Sequence, residues 1–344
     1  MTEQKYYNYI DIGKFFAMYF VIIMHVIQDN NNLYFKIFQI GCMAYFFFAS
    51  GFLFNPEKIS PTSKYIFKNL KNLLIPYLIC GIIGIVVIHL FPSWYGEYTK
   101  KDIFESIFIL GQPIAYGVCW FLICLFEVKI AFLIIWKIVS ALKNKTFITI
   151  ILMIIVILLN LLAMHIIEYY KNGGQRLPLK IDSTIIATTY YIIGFLFKYL
   201  NIFMVFKNKY FSLFAFAVTR ILATYIELNY LQITNICDYI FNYNYILYYI
   251  NQLLGIISFV SIGNILSDVK ILSYIGRNNL WTYLVHTYIL WIIEEIYGFF
   301  VGATHYSIRN IYEIFFLSTI TYIISILISI SINSILTKKI KPKV

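Results

Sequence analysis

Residues Ile10–Val26 read IDIGKFFAMYFVIIMHV, an apolar run interrupted by Asp11 and Lys14 near its start and by His25 near its end. A hydrocarbon core about 30 Å thick needs about 20 apolar residues per helical crossing, so this run forms most of one membrane span. Lys14 and His25 are eleven positions apart. At 100° per residue they fall about 20° apart on one helical face, separated by about 16 Å along the axis. Ionisable side chains are costly inside a membrane helix, and two on one stripe mark a candidate functional face. Asp11 is three residues before Lys14, within pairing distance. Asp29, four residues after His25, is placed by helical spacing to orient the imidazole.

The rest of the chain has the same character. Of 344 residues, 61% are hydrophobic and only 12% are charged, a balance that fits a polytopic membrane protein. The net charge of +11 does not point to nucleic acid, because Lys and Arg fall between apolar runs instead of tracking one soluble face. The five cysteines, Cys42, Cys80, Cys119, Cys124 and Cys237, show neither CxxC nor Cys/His spacing. Neither a disulfide framework nor a metal site is therefore expected, and small apolar packing residues are the natural reading. The opening MTEQKYYNYI lacks a basic leader region, which suggests an uncleaved first span.

Ten spans are expected, at 9–28, 36–54, 72–91, 114–136, 146–167, 183–200, 210–226, 243–266, 279–297 and 310–336. The fold class is all-α: a single transmembrane helix bundle over residues 1–344. With the N-terminus inside, the inner segments and the span ends bordering them hold 17 Lys and Arg and the outer ones 7. Lys14, Lys129 and Arg220 lie within spans and complete the total of 27. The bias favours both termini on the cytoplasmic side. The segment KKDIFESIFILG reads as a short amphipathic helix on the membrane surface, preceded by Trp94, Tyr95 and Tyr98, and KKIKPK reads as a basic end.

His25 is the best candidate for a general base, since a neutral imidazole can accept a proton near physiological pH. A bundle histidine bonded to a carbonyl would leave the same trace in the sequence. Lys14 is either a snorkelling anchor or an interior cation facing Asp11 or a phosphate. In KYIFKNLKNLLIPYL, Lys64, Lys68 and Lys71 recur at helical spacing and form a basic stripe suited to an anionic ligand, although charge topology alone would also place lysines there. Pro76 breaks or kinks this helix. Arg220 requires a partner that the sequence does not name, and no role is assigned to Glu127 or Lys129. His89, His165 and His305 read as structural.

Five segments, in order, resemble motifs of the acyltransferase-3 superfamily of integral membrane O-acyltransferases. Lys14 and His25, with ten residues between them, resemble its basic-x10-His signature. YFFFASGF at Tyr45–Phe52 resembles its second-span aromatic motif, and KNLKNLLIPY at Lys68–Tyr77 its approach to the third span. VCWFL at Val118–Leu122 and GRNNLWTYLVH at Gly276–His286 are similar to its fourth-span and late segments. Position 14 is Lys where many members carry Arg, position 44 is Ala where many carry Pro, and Asn279 stands where Ser is common. The lack of an appended hydrolase-like domain resembles the short branch that acylates sugars.

This resemblance implies an enzyme that moves an acyl group, usually acetyl, from cytoplasmic acyl-CoA to a hydroxyl of a cell-surface or lipid-linked sugar, in the cell membrane. His25 would be catalytic, and Lys14, Lys68 and Lys71 would bind acetyl-CoA. Asp11, Asp29, Ser50, Trp120, Asn279 and His286 are possible supporting or substrate-binding residues, with no metal. The expected partners are acyl-CoA, a sugar or polysaccharide and the lipid bilayer. The competing reading is a transporter, flippase or non-catalytic membrane subunit for a lipid-linked glycan.

Overall fold

The computed structural model describes residues 7–29, 31–90, 98–114, 117–231, 234–235, 240–241, 244–301 and 310–338. Lys5, Trp94, Tyr95, Cys237, His305, Arg309 and the basic end beyond residue 338 lie outside the described residues.

The fold is all-α. Its helices are α1 (Asn8–Ile27), α2 (Leu33–Gln39), α3 (Cys42–Phe52), α4 (Thr62–Asn69), α5 (Ile75–Leu90), α6 (Lys100–Phe104), α7 (Trp120–Val139), α8 (Lys145–Lys171), α9 (Ile181–Tyr199), α10 (Lys209–Tyr230), α11 (Tyr245–Ile265), α12 (Lys270–Arg277), α13 (Asn279–Val301) and α14 (Ile311–Lys338). The exception among the described residues is a two-residue antiparallel ladder, in which Thr234 faces Phe241 and Asn235 faces Ile240. A short helix forms in KKDIFESIFILG as expected; it is α6, capped by Thr99 and Asp102 and continued by a wide turn at Glu105–Ile109.

Eight helical segments among the described residues are long and apolar enough to cross a membrane. Several join neighbouring helices, such as α2 with α3 (Leu33–Phe52) and α4 with α5 (Thr62–Leu90). All eight coincide with expected spans. The other two expected spans, 183–200 and 279–297, are the long helices α9 and α13, which fall outside those eight. For α9 the physical reason is burial. In α9 the polar residues Asp182, Ser183, Thr184, Thr188 and Thr189 are all buried in protein. A helix wrapped by other helices does not need an apolar surface, whereas one facing lipid does. Accordingly α8, the most apolar of the eight, is also the least buried.

The chain divides into two compact units. The first comprises Met1–Phe46, Ile202–Ile233 and Ile246–Val344, and the second Phe47–Asn201 and Thr234–Tyr245.

In the first unit α1 packs against α2, α12, α13 and α14. Small residues allow close approach between backbones, the usual basis of helix packing in membranes. Gly276 of α12 lies against the Asp11 carbonyl, and Gly263 of α11 against that of Tyr9. Tyr45 donates a 3.1 Å hydrogen bond to the Ile10 carbonyl, with its ring over Gly13. The helix α14 turns the buried residues Ser318, Thr321, Ser325 and Ser329 inward, at spacings of three and four. Its Tyr322 hydroxyl donates to the Phe15 carbonyl at 3.0 Å.

In the second unit α9 packs against α7 and α8. Gly51 meets the Tyr191 carbonyl and Gly194 meets that of Phe48, a reciprocal small-residue contact between α3 and α9. The rings of Phe54, Phe132, Tyr191 and Phe195 cluster at centroid separations of 4.9 to 6.3 Å. Before Pro76 the helical ladder widens into an i→i+5 turn at Leu70–Leu74. Proline lacks the N–H that would continue an α-helical ladder, and the wide turn carries the chain past that gap.

Candidate active site

The functional face predicted for α1 is turned toward α13. The Asn279 side-chain amide donates to the Lys14 carbonyl at 2.8 Å, and the rings of His25 and His286 lie 5.0 Å apart between centroids. The two contacts run in the same order along both helices, from Lys14 to His25 on α1 and from Asn279 to His286 on α13. The in-phase spacing of Lys14 and His25 therefore corresponds to one packed stripe.

The two histidines differ in their surroundings. His286 is fully buried, and its Nδ1 is 2.6 Å from the Tyr283 carbonyl. A carbonyl oxygen only accepts, so Nδ1 must carry the hydrogen in this bond. Nε2 of the neutral ring is then a bare lone pair, and it is buried without a hydrogen-bond partner among the described residues. His25 is half-buried, and its ring makes no hydrogen bond among the described residues. This arrangement offers one fixed imidazole and one imidazole free to accept a proton.

Toward the start of the same stripe Asp11 is buried between two cations. Lys14 Nζ is 2.7 Å from Asp11 Oδ1, and Arg277 Nε is 3.6 Å from Oδ2. Arg277 also donates to the Ser273 carbonyl at 3.3 Å. The sequence suggested Asp11 as one possible partner for Lys14, but it gave Arg277 no site role. Three charges within one cluster leave a net positive charge at this end of α1. Position 277 lies inside the GRNNLWTYLVH segment, and that membership was the available clue.

Asp29 does not share the His25 face. The helix stops at Ile27, Gln28 adopts a left-handed conformation (φ 56°), and the Asp29 carboxylate instead accepts the Asn31 N–H at 2.9 Å. An Asx turn thus competes with helix continuation, and α1 ends before the i+4 relation can form. Asn279 is likewise occupied, with its amide tying α13 to the Lys14 carbonyl.

The remaining candidates belong to the second unit. Lys68 and Lys71 are both exposed, on either side of the junction between α4 and the wide turn. Asn69 between them is buried, and its side-chain oxygen accepts from Lys129 Nζ of α7 at 3.1 Å. Lys129 is therefore a further cation beside that stripe. Sequence spacing gave no sign of it, because the contact spans 60 positions. Ser50 is half-buried on α3, and Trp120 is buried at the start of α7. Glu127 accepts from the Thr184 hydroxyl at 2.6 Å.

Arg220 finds its partner in the first unit. Its guanidinium donates to the Ile37 and Ile40 carbonyls at 2.7 and 3.4 Å and lies over the Phe20 ring at 5.3 Å. It caps the C-terminal end of α2, where the last carbonyls are otherwise unsatisfied. His89 bonds the Ile85 carbonyl, His165 is exposed, and Cys42, Cys80, Cys119 and Cys124 are buried free thiols. Among the described residues no group of three or more His, Cys, Asp or Glu side chains could hold a metal ion.

Eight membrane-length apolar helices define a multi-pass membrane protein, in which the rings of His25 and His286 lie 5.0 Å apart between centroids. A family model described as an acyltransferase domain matches residues 7–330, and the chain belongs to that family, acyltransferase-3. No curated protein and no solved structure matches it.

Proposed function

We propose that this protein is an acyl-CoA-dependent O-acyltransferase of the cell membrane. Its reaction moves an acetyl group from cytoplasmic acetyl-CoA to a hydroxyl of a cell-surface or lipid-linked sugar. The observation that carries this reading is the free imidazole of His25 beside the fixed imidazole of His286, on a stripe of a chain that an acyltransferase model covers from residue 7 to residue 330.

In this mechanism the sugar hydroxyl attacks the thioester carbonyl, and His25 takes the hydroxyl proton as the new C–O bond forms. Collapse of the tetrahedral intermediate re-forms the carbonyl and expels the CoA thiolate. CoA is polyanionic, so the exposed Lys68 and Lys71 supply attraction for its phosphates, with Lys129 close by. The charge distribution along the chain supports a cytoplasmic N-terminus, which puts Lys14 at the inner end of α1 and His25 toward the outer side.

The test uses membranes supplied with [14C]acetyl-CoA and their own glycan acceptors. Wild-type protein should transfer label to the glycan fraction. His25→Ala should lower that rate by about a hundredfold or more, the usual contribution of a general base. Full transfer by His25→Ala protein would overturn the assignment. Unlabelled glycan that fails to reach the surface in a deletion strain would favour export instead.

A further inference from the structure

We infer that His286 is a positioning residue for His25: its Nε2 accepts an N–H from the His25 ring and so fixes which nitrogen of His25 is left bare. The inference rests on the reading of His25 as the base.

Three observations converge on it. The Nδ1 of His286 is committed as a donor to the Tyr283 carbonyl at 2.6 Å, which leaves Nε2 able only to accept while the ring is neutral. That Nε2 is buried without a partner among the described residues, on a side chain of zero exposure. A buried acceptor left unpaired costs free energy, so a nearby donor has reason to turn toward it. The His25 ring is 5.0 Å away between centroids, tilted by 54°, and makes no hydrogen bond among the described residues. At this separation two imidazoles can share one N–H···N bond once His25 turns an edge toward its neighbour.

The consequence is chemical. An imidazole bound to no fixed partner divides itself between two tautomers, and only one presents its lone pair to a substrate hydroxyl. An acceptor on one side holds the hydrogen there and keeps the opposite nitrogen bare, as second-side partners do for other functional histidines. When His25 takes the substrate proton it becomes an imidazolium, and its N–H toward His286 becomes a charge-assisted donor. That bond therefore strengthens as the reaction proceeds. His286 touches no reacting atom in this scheme.

The experiment is 15N NMR of the histidine rings in full-length protein in lipid nanodiscs. Only five histidines are present, and single substitutions assign them. In wild type, His25 should show one tautomer, with coupling through the hydrogen bond to the His286 Nε2. His286→Phe keeps a ring but removes the acceptor, so His25 should become a tautomer mixture. His286→Gln offers an amide oxygen and should restore a single tautomer. In acetyl transfer from [14C]acetyl-CoA, His286→Phe should lower kcat by about tenfold or more with KM little changed, and His286→Gln should recover part of it. A tautomer mixture at His25 in the wild type, or no change in His286→Phe, overturns the inference, and the wild-type spectrum decides even where a variant fails to fold. A single coupled tautomer together with full activity in His25→Ala would keep the histidine pair and discard the base.

Discussion

His286 and Asp11 show how burial turns a common side chain into a constrained one. Asp11 is 4% exposed and holds Lys14 and Arg277 together, so its removal leaves two like charges beside each other with no anion between them. Breaking a buried pair by removing one partner costs about 3 to 5 kcal/mol. Asp11→Ala should therefore lower the thermal midpoint of the detergent-solubilised protein by several degrees, while Lys14→Arg, which keeps the charge, should stay near wild type. A midpoint unchanged in Asp11→Ala would show that the cluster contributes nothing to stability. Arg220 behaves similarly at a helix end. Arg220→Met removes both bonds to α2 and should cost about 1 to 3 kcal/mol, the penalty for unsatisfied buried acceptors, seen as faster amide exchange at α2.

Among the helices, contact distance is set by glycine. In α12 a Cβ at Gly276 would strike the Asp11 carbonyl, backbone that cannot swing aside as a side chain can. Gly276→Ala should therefore push α12 from α1, at an overpacking cost of about 1 to 3 kcal/mol. Because that carbonyl belongs to the residue that holds Lys14 and Arg277, activity should fall along with the melting midpoint. The short helix α6 makes a gentler test. The Thr99 backbone N–H and hydroxyl both donate to the Asp102 carboxylate at 2.8 Å, and they hold its pKa below the ordinary carboxylate value. The lowered value means that the cap is intact above the unfolded pKa of about 3.9 and is lost as pH falls through the folded value. Amide exchange at Asp102 and Ile103 should accelerate only below that range; acceleration already near neutral pH would refute the cap.

For the molecule as a whole, the proposed N-in topology has a direct test. Cysteines introduced at the exposed Lys143 and the half-buried Lys36 should be labelled from opposite sides of the membrane, Lys143→Cys from the cytoplasmic side and Lys36→Cys from the outside. The reverse pattern would overturn the orientation and, with it, the placement of the lysine stripe near cytoplasmic acyl-CoA. With Cys237 replaced by Ser, background from Cys42, Cys80, Cys119 and Cys124 should be low, because all four are buried.

By itself the sequence determined that the chain is a bundle of membrane helices, where most of them begin and end, and that Lys14 and His25 are in phase along α1. These properties are local: apolar run length, helical phase and a positive charge bias all act within a few turns. The ordered motifs also carried the family. Tertiary structure decided which of the polar residues meet. His25 and His286 are 261 positions apart and Asp11 and Arg277 are 266 apart, so no periodicity could pair them. Arg277 and Lys129 looked like ordinary basic residues until packing set them beside Asp11 and Asn69. The burial of the polar side chains of α9 was likewise decided by packing, because a helix surrounded by protein has polar neighbours to bond with and no lipid to match. Asp29 shows the opposite case, where local pattern misled. Its spacing from His25 fits a helix, but a left-handed Gln28 ends that helix first, and the carboxylate serves the turn instead.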